Sequence, residues 1–449
     1  MIIINVGSYI TISGLEGNPE LIDQLKEKLI IDNPLYLDAV ERGRLTKGIP
    51  MHIKLLKKYK NGDYSVPRGY LYKLAEIIKM YNCHVNYSHP KVDLLDFNFQ
   101  GELKPDQRKA GRGIVAKRFS VLKAPTGSGK TVLAIWTIAK RKVPTLIVVH
   151  TKELLYQWRD KVVQFLNVKK NHIGLVGDGH NNYGIITIGI VNSLAKKKIE
   201  YPFGTIIIDE CHRVPASTFA NVINKVNTKY LLGLTATDKR SDGLDFLIYY
   251  YMGELAHEIN TKKLMKTGRI LKPEVKIVET SFNYSMRNIY QRQAMLKKLI
   301  ECPDRNALIA HKVKRQLKQH PNGVVLVISD RVAHIIKLSQ LLEEASVMIG
   351  ATPNKERRET IEKLEKLESR ILLATGQLIG EGFDLPALSS IFLTTPIKFN
   401  GRLQQYIGRV LRVAEGKDSA IIYDFDDKCW LLQHSLKSRM NFYRKEGFI

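Results

Sequence analysis

The stretch Ala124-Pro125-Thr126-Gly127-Ser128-Gly129-Lys130-Thr131 lies between an apolar run, Phe119 to Leu122, and a helix-like stretch, Val132 to Ala139. This order predicts a strand, a phosphate-binding loop and a helix. Glycines let backbone N–H groups turn toward phosphate oxygens, and the helix N-terminus adds partial positive charge. We expect Lys130 to reach the outer phosphates and the Thr131 hydroxyl to ligate Mg²⁺. The loop therefore predicts a nucleoside triphosphate site, although Ala124 stands where the strict pattern has glycine.

A second element strengthens this prediction. The apolar run Thr205 to Ile208 leads directly into Asp209-Glu210-Cys211-His212. At the carboxyl edge of a parallel sheet, Asp209 is expected to hold Mg²⁺, and Glu210 to orient and deprotonate the attacking water. An acid after a strand is by itself more often an ordinary strand end or helix cap. Combined with the phosphate loop, it predicts a nucleotide hydrolase.

Composition limits the class of protein and its partners. The chain has 449 residues, enough for two or three domains, and a formal net charge of +26. Such an excess favours a polyanionic partner, nucleic acid before an anionic membrane surface. No stretch approaches the roughly 20 apolar residues of a membrane span, so we expect a soluble intracellular protein. The four cysteines are widely spaced, which argues against a zinc site or a disulfide framework.

Strand-like and helix-like stretches alternate in two series, which predicts an α/β fold with two parallel sheets, each covered on both faces. The predicted domains are 96–240 with the phosphate loop, a polar linker region at 241–272, and a second lobe at 273–449. Residues 1–95 lie outside these series. A hairpin pattern around Asn61-Gly62 and a helix-like Tyr70 to Tyr81 predict a small α/β accessory domain there.

In the second lobe, Arg412 follows Arg409 at a spacing of three, next to the helix-like stretch Gly401 to Leu411 that contains Arg409. At this spacing both guanidinium groups project from one helix face. We expect them to stabilise the charge that develops on the γ-phosphate during phosphoryl transfer. A solvated basic helix face is the structural alternative.

The ordered motifs resemble those of superfamily two helicases. They include Gln107, the phosphate loop, Asp209 to His212, Thr235-Ala236-Thr237, the stretch Gly380 to Pro386, and Gln405 to Arg412. The resemblance covers roughly residues 97–424 and implies two RecA-like domains that close on ATP. Within the superfamily, Thr235 to Gly243 and Glu381-Gly382-Phe383-Asp384-Leu385-Pro386 resemble the XPB-like branch with the UvsW-type phage branch-migration helicases. Ser241 departs from the Arg-Glu-Asp element of that branch.

The resemblance also implies further roles for single residues. Gln107 would read the adenine edge, and Asp384 would reach the ribose. His212 would connect the nucleotide to the nucleic-acid face through Thr235 or Thr237, and Gln405 belongs to the same coupling set. Because a motor that moves along any sequence cannot depend on base edges, we expect contacts from amides and hydroxyls at strand ends. The candidates, each of which is equally suited to cap a helix, are Thr151, Lys152, Thr187, Ser193, Ser329, Arg331, Thr375 and Gly376.

Together these features predict an ATP- and Mg²⁺-dependent helicase or translocase that acts on branched or forked DNA in recombination, repair or replication. We expect a monomer that does not bind membranes, in the cytoplasm, and a phage protein in a bacterial host fits its compact length. Lysines between Lys54 and Lys79, with Arg68, suggest that residues 1–95 bind duplex or branched DNA. The alternatives are an RNA helicase and a nucleotide-switched DNA-binding subunit of a restriction-type complex.

Overall fold

The structure is a computed structural model that describes residues 1–215, 217–240, 242–380, 385–397, 401–417 and 419–449. Its contacts divide the chain into two compact units. The first contains Met1–Ala124 and Gly129–Ile259, and the second contains Pro125–Ser128 and Asn260–Ile449. Each unit is α/β, as the alternating pattern predicted.

The N-terminal region of the first unit forms a small α/β layer. Its strands are β1 (Ile2–Val6), β2 (Tyr9–Ser13), β3 (Ile30–Asp32), β4 (His52–Lys54), β5 (Lys57–Lys58), β6 (Tyr64–Pro67) and β7 (Cys83–Tyr87). Its helices are α1 (Pro19–Leu29), α2 (Pro34–Glu41) and α3 (Leu71–Ile78). The sheet order is β5-β6-β2-β1-β7, while β3 pairs with β4. Gly62 has φ of 87° in the turn between β5 and β6, a backbone conformation that glycine adopts without strain.

The phosphate-loop domain of the first unit follows. Its strands are β8 (Phe119–Lys123), β9 (Thr145–Val149), β10 (Ile173–Gly177), β11 (His180–Asn181), β12 (Ile186–Ile190), β13 (Thr205–Ile208), β14 (Tyr230–Thr235) and β15 (Glu254–Glu258). Its helices are α4 (Pro105–Val115), α5 (Lys130–Arg141), α6 (Lys152–Phe165), α7 (Val191–Ala195), α8 (Ser217–Lys225) and α9 (Phe246–Met252).

The sheet order in this domain is β11-β10-β12-β9-β13-β14-β8-β15. All neighbouring pairs are parallel except β10 with β11. The central strands are buried along their whole length, which explains their continuous apolar sequences. The carboxyl ends of β13, β14 and β8 therefore lie side by side at one edge of the sheet.

Residues 241–272, which the sequence suggested as a linker, contain ordered elements. Helix α9 lies in this region, and β15 pairs in parallel with β8 and so extends the first sheet. The boundary between the compact units falls at Ile259 and Asn260. The polar, mixed-charge composition that suggested a linker is typical of an edge strand, which has water on one side.

The N-terminal region shares one hydrophobic core with the phosphate-loop domain: a single cluster runs from Ile2 through Leu74 to Val148 and Met252. At the junction, Arg68 is buried and donates hydrogen bonds to the Ile223 carbonyl, at 2.6 Å, and to the Thr228 hydroxyl, at 3.2 Å. Arg68 is thus a structural residue, in contrast to its expected place in a nucleic-acid-binding cluster.

The second unit has its own parallel sheet. Its strands are β16 (Glu274–Asn283), β17 (Val324–Ser329), β18 (Ser346–Met348), β19 (Ile371–Thr375), β20 (Leu388–Leu393) and β21 (Ile421–Lys428), in the order β16-β21-β20-β17-β19-β18. Its helices are α10 (Thr261–Lys266), α11 (Arg292–Glu301), α12 (Pro303–Gln319), α13 (Val332–Leu341), α14 (Asn354–Glu365), α15 (Gly376–Gly380), α16 (Gly401–Val410) and α17 (Trp430–Glu446).

Two buried ion pairs hold helices against this sheet. Arg305 of α12 binds Asp427 through two hydrogen bonds of 2.7 and 3.0 Å. Arg439 of α17 binds Asp424 through hydrogen bonds of 2.6 and 2.7 Å. Such two-pronged contacts satisfy the charges that burial would otherwise leave uncompensated. They fix both helices on β21.

Candidate active site

The phosphate loop connects β8 to α5, as the sequence predicted. Gly129 precedes α5 with φ of 84° and ψ of 33°, and Gly127 also has φ of 84°. These left-handed conformations strain other residues, so both glycines are required for the shape of the loop. Lys130 Nζ donates a hydrogen bond of 2.9 Å to the Ala124 carbonyl. The lysine side chain thus lies along the loop whose bound phosphates it is expected to contact.

Gln107 lies against this loop. Its Oε1 accepts a hydrogen bond of 3.0 Å from the Lys104 amide, which orients the side chain at the start of α4. A Cβ atom placed on Gly129 would lie 2.4 Å from Gln107 Nε2. The amide nitrogen therefore packs directly on the glycine, and no larger residue fits there while Gln107 keeps this position.

Asp209 and Glu210 stand at the carboxyl end of β13. Asp209 Oδ2 accepts a hydrogen bond of 2.8 Å from the Trp158 indole, and Oδ1 accepts one of 3.0 Å from the Glu210 amide. Glu210 has φ of 50° and ψ of 52°, a strained conformation for a residue with a side chain. The backbone thus turns sharply after the strand, and both carboxylates are held at the sheet edge.

The two acids differ in their affinity for protons. Burial and the neighbouring Glu210 charge raise the pKa of Asp209 to about 6. Burial acts in the same direction on Glu210, but the hydrogen bond and charge of His212, together with the charge of Lys130, outweigh it and lower the Glu210 pKa. Glu210 is therefore ionised at neutral pH, as a general base must be, and a cation beside Asp209 would favour its ionised form.

Thr235 connects the phosphate loop to this acidic pair. Its carbonyl accepts a hydrogen bond of 2.9 Å from the Ala124 amide. Its hydroxyl lies 3.3 Å from His212 Nδ1, and the same nitrogen is 3.2 Å from Glu210 Oε2. The Thr235 hydroxyl also donates to the Thr237 carbonyl. This arrangement follows from the strand order, because β14 lies between β8 and β13.

Residues after Thr237 continue the network. Arg240 binds both oxygens of Asp242, with hydrogen bonds of 2.9 and 2.5 Å, and donates to the His212 carbonyl. The outer residues of the Arg-Ser-Asp element are thus paired with each other and joined to His212. Ser241 lies outside the described residues, and so does Asp384.

In the second unit, helix α16 contains Gln405 and Arg409 and ends at Val410. Arg412, expected on the same helix, lies beyond its end: its amide contacts the Arg409 carbonyl at 3.4 Å, as in a 3₁₀ turn, and it forms a β-bridge with Ile270. Lys417 Nζ donates hydrogen bonds to the carbonyls of Val410, at 2.6 Å, and Arg412, at 2.7 Å. Lys417 therefore caps the turn between the arginines, a role that cations often take at helix C-termini.

The expected nucleic-acid contacts fall into two groups. Thr187 and Ser329 are fully buried, with hydroxyls bound to Gly184 and His334, so their side chains are removed from the proposed surface. Thr151 caps α6 by accepting a hydrogen bond of 3.3 Å from the Leu154 amide. The Gly376 carbonyl accepts a hydrogen bond from the Tyr406 hydroxyl. The remaining candidates are half-buried at the carboxyl ends of strands or in the following helices: Lys152, Ser193, Arg331 and Thr375.

Two residues near the site had no sequence signal. Trp158, in the second turn of α6, has the spacing of a core residue in an amphipathic helix, yet its indole contacts Asp209. Lys123 directly precedes the phosphate loop and binds Asp238 at 3.0 Å and Glu258 at 3.1 Å. These partners are distant in sequence, and only the sheet order brings them together.

The donors at this edge suit Mg²⁺. Asp209 offers a buried carboxylate, and Thr131 offers a hydroxyl in the first turn of α5. Hard oxygen donors of this kind, completed by phosphate oxygens and water, are those that Mg²⁺ prefers. Among the described residues no cluster of three or more His, Cys, Asp or Glu side chains forms a metal site by itself. No helix in the described ranges has the length and apolar character to cross a membrane.

Comparison with known proteins identifies the class. Residues 100–240 match the family described as Type III restriction enzyme, res subunit, and residues 307–414 match the Helicase conserved C-terminal domain. The chain is therefore a superfamily two helicase, an ATP-dependent enzyme with two RecA-like lobes.

Relatives over nearly the full length carry related names. One, from Acanthamoeba polyphaga mimivirus, is provisionally named an ATP-dependent RNA helicase; it is 28% identical, over 99% of this chain and 86% of its own. Another, a provisional helicase of Invertebrate iridescent virus 6, is 28% identical over 97% of both chains.

One solved structure supports the fold. S. cerevisiae Dbp5 bound to RNA and ADP BeF3 aligns with a TM-score of 0.53 and 15% identity, over 77% of this chain and 92% of that one. T4 UvsW aligns over 99% of this chain and 97% of its own at 17% identity, with a TM-score of 0.44 that is too low to establish a shared fold.

Proposed function

We propose that this helicase couples ATP hydrolysis to movement along DNA and acts on forked or branched DNA. The observation that carries the proposal is the position of Thr235, whose backbone binds the phosphate loop and whose hydroxyl meets His212 beside Glu210. A change at the γ-phosphate can thus be transmitted through one threonine to the strand ends of the first lobe.

In this proposal the loop residues Pro125 to Thr131 bind the triphosphate, with Lys130 on its outer phosphates. Mg²⁺, held by Thr131 and Asp209, would neutralise charge on the β- and γ-phosphates. Glu210 accepts the proton of the attacking water, and His212 holds the ionised Glu210 in place. Gln107 contacts the adenine, and Asp384 the ribose. Arg409 and Arg412 would stabilise charge on the transferred phosphoryl group, with Gln405 beside them.

DNA is favoured by the resemblance of the Thr235 to Gly243 region to the XPB-like branch. The Arg240–Asp242 pair supports this, because both ends of the element are engaged although its central residue differs. The net charge of +26 fits either nucleic acid. An RNA helicase is the second candidate, since the mimivirus relative is provisionally named as one.

ATPase stimulation decides between these substrates. The steady-state rate is measured for the full chain with single-stranded DNA, duplex DNA, a DNA fork and single-stranded RNA of matched length. The proposal predicts the largest stimulation by forked DNA. Stimulation by RNA alone would replace DNA with RNA, and a rate unaffected by any nucleic acid would refute the motor function.

Two substitutions test the site itself. Lys130→Ala should abolish turnover, while Glu210→Gln should retain ATP binding and lose hydrolysis, because the amide cannot accept the proton of water. Binding is followed with a fluorescent ATP analogue, so that loss of chemistry is separated from loss of affinity. Normal turnover in either variant would reject the assignment.

A further inference from the structure

The segment between β16 and α11 presents an aromatic side chain to solvent. Residues 284–288 form a loop, and Ile289–Gln291 form a 3₁₀ turn that leads into α11. At this turn, Tyr290 is 91% exposed and Ile289 is 52% exposed. Large apolar side chains at such exposure bury little surface within the chain, and an adjacent pair of them suggests a binding role.

The turn is held in place by hydrogen bonds. The Trp430 indole donates to the Met286 carbonyl at 2.9 Å, and Met286 itself is buried in a cluster with Phe282. Asn288 Oδ1 accepts from the Tyr290 amide at 3.1 Å. The Arg287 amide donates to Gln291 Oε1 at 2.8 Å. Tyr290 is therefore displayed by a supported backbone, which lowers the entropy lost when it binds a ligand.

Basic side chains flank the turn on both sides in sequence, with Arg287 before it and Arg292 after it. Residues 281–300 contain four cations, Arg287, Arg292, Lys297 and Lys298, and no Asp or Glu. Exposed aromatic rings between basic side chains match the chemistry of single-stranded nucleic acid, which offers base faces for stacking and phosphates for ion pairing. An apolar protein partner would offer no anionic groups to pair with these cations.

The turn also adjoins a predicted nucleic-acid contact. Arg331 follows β17, and its Nη2 donates a hydrogen bond of 2.6 Å to Gln293 Oε1 on α11. The turn that carries Tyr290 ends where α11 begins, so it lies on the same side of this sheet as the carboxyl end of β17. A nucleic-acid strand that contacts Arg331 would therefore pass close to Tyr290.

We propose that Tyr290 stacks on an unpaired base of the translocating strand, while Arg287 and Arg292 contact the phosphates on either side. This inference rests on the proposed function and deepens it, because it names a base-stacking residue in the second lobe. Stacking does not read sequence, since every base has a π-face, and so it is compatible with a motor.

The test compares side chains that differ only in their ability to stack. In the full chain, Tyr290→Phe keeps the ring, and Tyr290→Leu keeps an apolar side chain without a π-face. Ile449→Ala removes an exposed apolar side chain, 49% accessible, at the far end of the second unit as a control. Binding of labelled oligo-dT and oligo-U is measured by fluorescence anisotropy over a range of salt concentrations.

We expect Tyr290→Phe and Ile449→Ala to bind within about two-fold of the unaltered chain. Tyr290→Leu should bind about ten-fold more weakly, equivalent to about 1.4 kcal/mol, with an unchanged salt dependence. Arg287→Gln should instead reduce the slope of log K against log salt by about 0.7, since one phosphate contact is lost. Binding of Tyr290→Leu at full affinity would overturn the proposal and leave a protein partner for this turn.

A second measurement detects stacking itself, so that a change in affinity with another cause is not mistaken for lost stacking. Strands with 2-aminopurine at successive positions report stacking through quenched fluorescence. Quenching at one position by the unaltered chain and by Tyr290→Phe, lost in Tyr290→Leu, supports the proposal; equal quenching in all three overturns it. If the unaltered chain binds no strand at all, the proposed function itself fails.

Discussion

Trp158 offers a direct test of how the acidic pair is held. Its indole N–H is buried and donates a 2.8 Å hydrogen bond to Asp209, the proposed Mg²⁺ ligand. Trp158→Phe removes this donor and retains most of the aromatic packing. A hydrogen bond to a charged group is worth about 1.5–3 kcal/mol, which corresponds to about 10- to 150-fold in an equilibrium constant. Partners of metal ligands have effects of similar size, about 10- to 100-fold.

We therefore expect Trp158→Phe to lower kcat/KM for ATP hydrolysis by about 10- to 100-fold and to raise the Mg²⁺ concentration needed for half-maximal rate. The assay is steady-state ATPase activity over a Mg²⁺ titration at fixed ATP. Trp136→Phe is the matched control, because Trp136 lies on α5 and packs against Gly111. Thermal unfolding of both variants reports any loss of packing.

An unchanged Mg²⁺ dependence in Trp158→Phe, with kcat/KM within two-fold of the unaltered chain, would show that the indole does not position Asp209. Equal losses in Trp158→Phe and Trp136→Phe would also refute it, since a general packing defect would then explain both. A selective loss in Trp158→Phe would instead show that the indole positions Asp209.

Three further predictions concern the fold and the second lobe. Gly69→Ala should destabilise the chain by about 1–3 kcal/mol in urea unfolding, because its Cβ would lie 2.4 Å from the Gly253 amide nitrogen, whereas Gly17→Ala, with open space around it, should be neutral. Burial lowers the pKa of His334 to about 3, so the unfolded state binds more protons than the folded state between about pH 3 and 6.5. The free energy of unfolding should therefore rise with pH through this window, by about 2 kcal/mol from pH 5 to 6.5. In His334→Gln the rise should be smaller. Arg409→Ala should reduce kcat by about 10³-fold or more while ATP affinity stays within a few-fold.

Each of these predictions has a contradicting result. Equal stability of the two glycine variants would show that the backbone at the junction between the N-terminal region and α9 can shift to accommodate a Cβ atom at little cost in free energy. A pH dependence of the same slope with and without His334 would assign the effect to other groups. Near-normal turnover without the Arg409 guanidinium would refute its proposed role in phosphoryl transfer.

Local sequence determined much of this architecture. The apolar run Thr205 to Ile208 predicted a buried strand of a parallel sheet, because only β-branched residues occupy it, and the structure confirms this strand as β13 with the same bounds. The phosphate loop could also be predicted from the sequence, since its glycines are needed for left-handed backbone conformations. The alternation of strand-like and helix-like stretches then predicted the α/β class of both lobes.

Other features depended on contacts between distant residues. The composition of 241–272 suggested a linker, but pairing with β8 makes part of it an edge strand. Arg68 looked like a surface cation, yet its partners Ile223 and Thr228 bury it. Helix propensity extended α16 to Leu411, whereas Lys417 binds the carbonyls that mark its end. For the edge strand and for Arg68 the deciding partner is remote in sequence, whereas Lys417 lies seven residues beyond Val410, outside the helical pattern.

Strand displacement on a forked DNA substrate shows whether this helicase uses ATP hydrolysis to separate DNA strands. A fork with a fluorophore and quencher on opposite strands is mixed with the full chain, Mg²⁺ and ATP, and with the Glu210→Gln variant as a matched control. We expect an ATP-dependent rise in fluorescence with the unaltered chain and none with the variant. Separation of the strands at the same rate by both proteins, or by neither while ATP is hydrolysed, would contradict it.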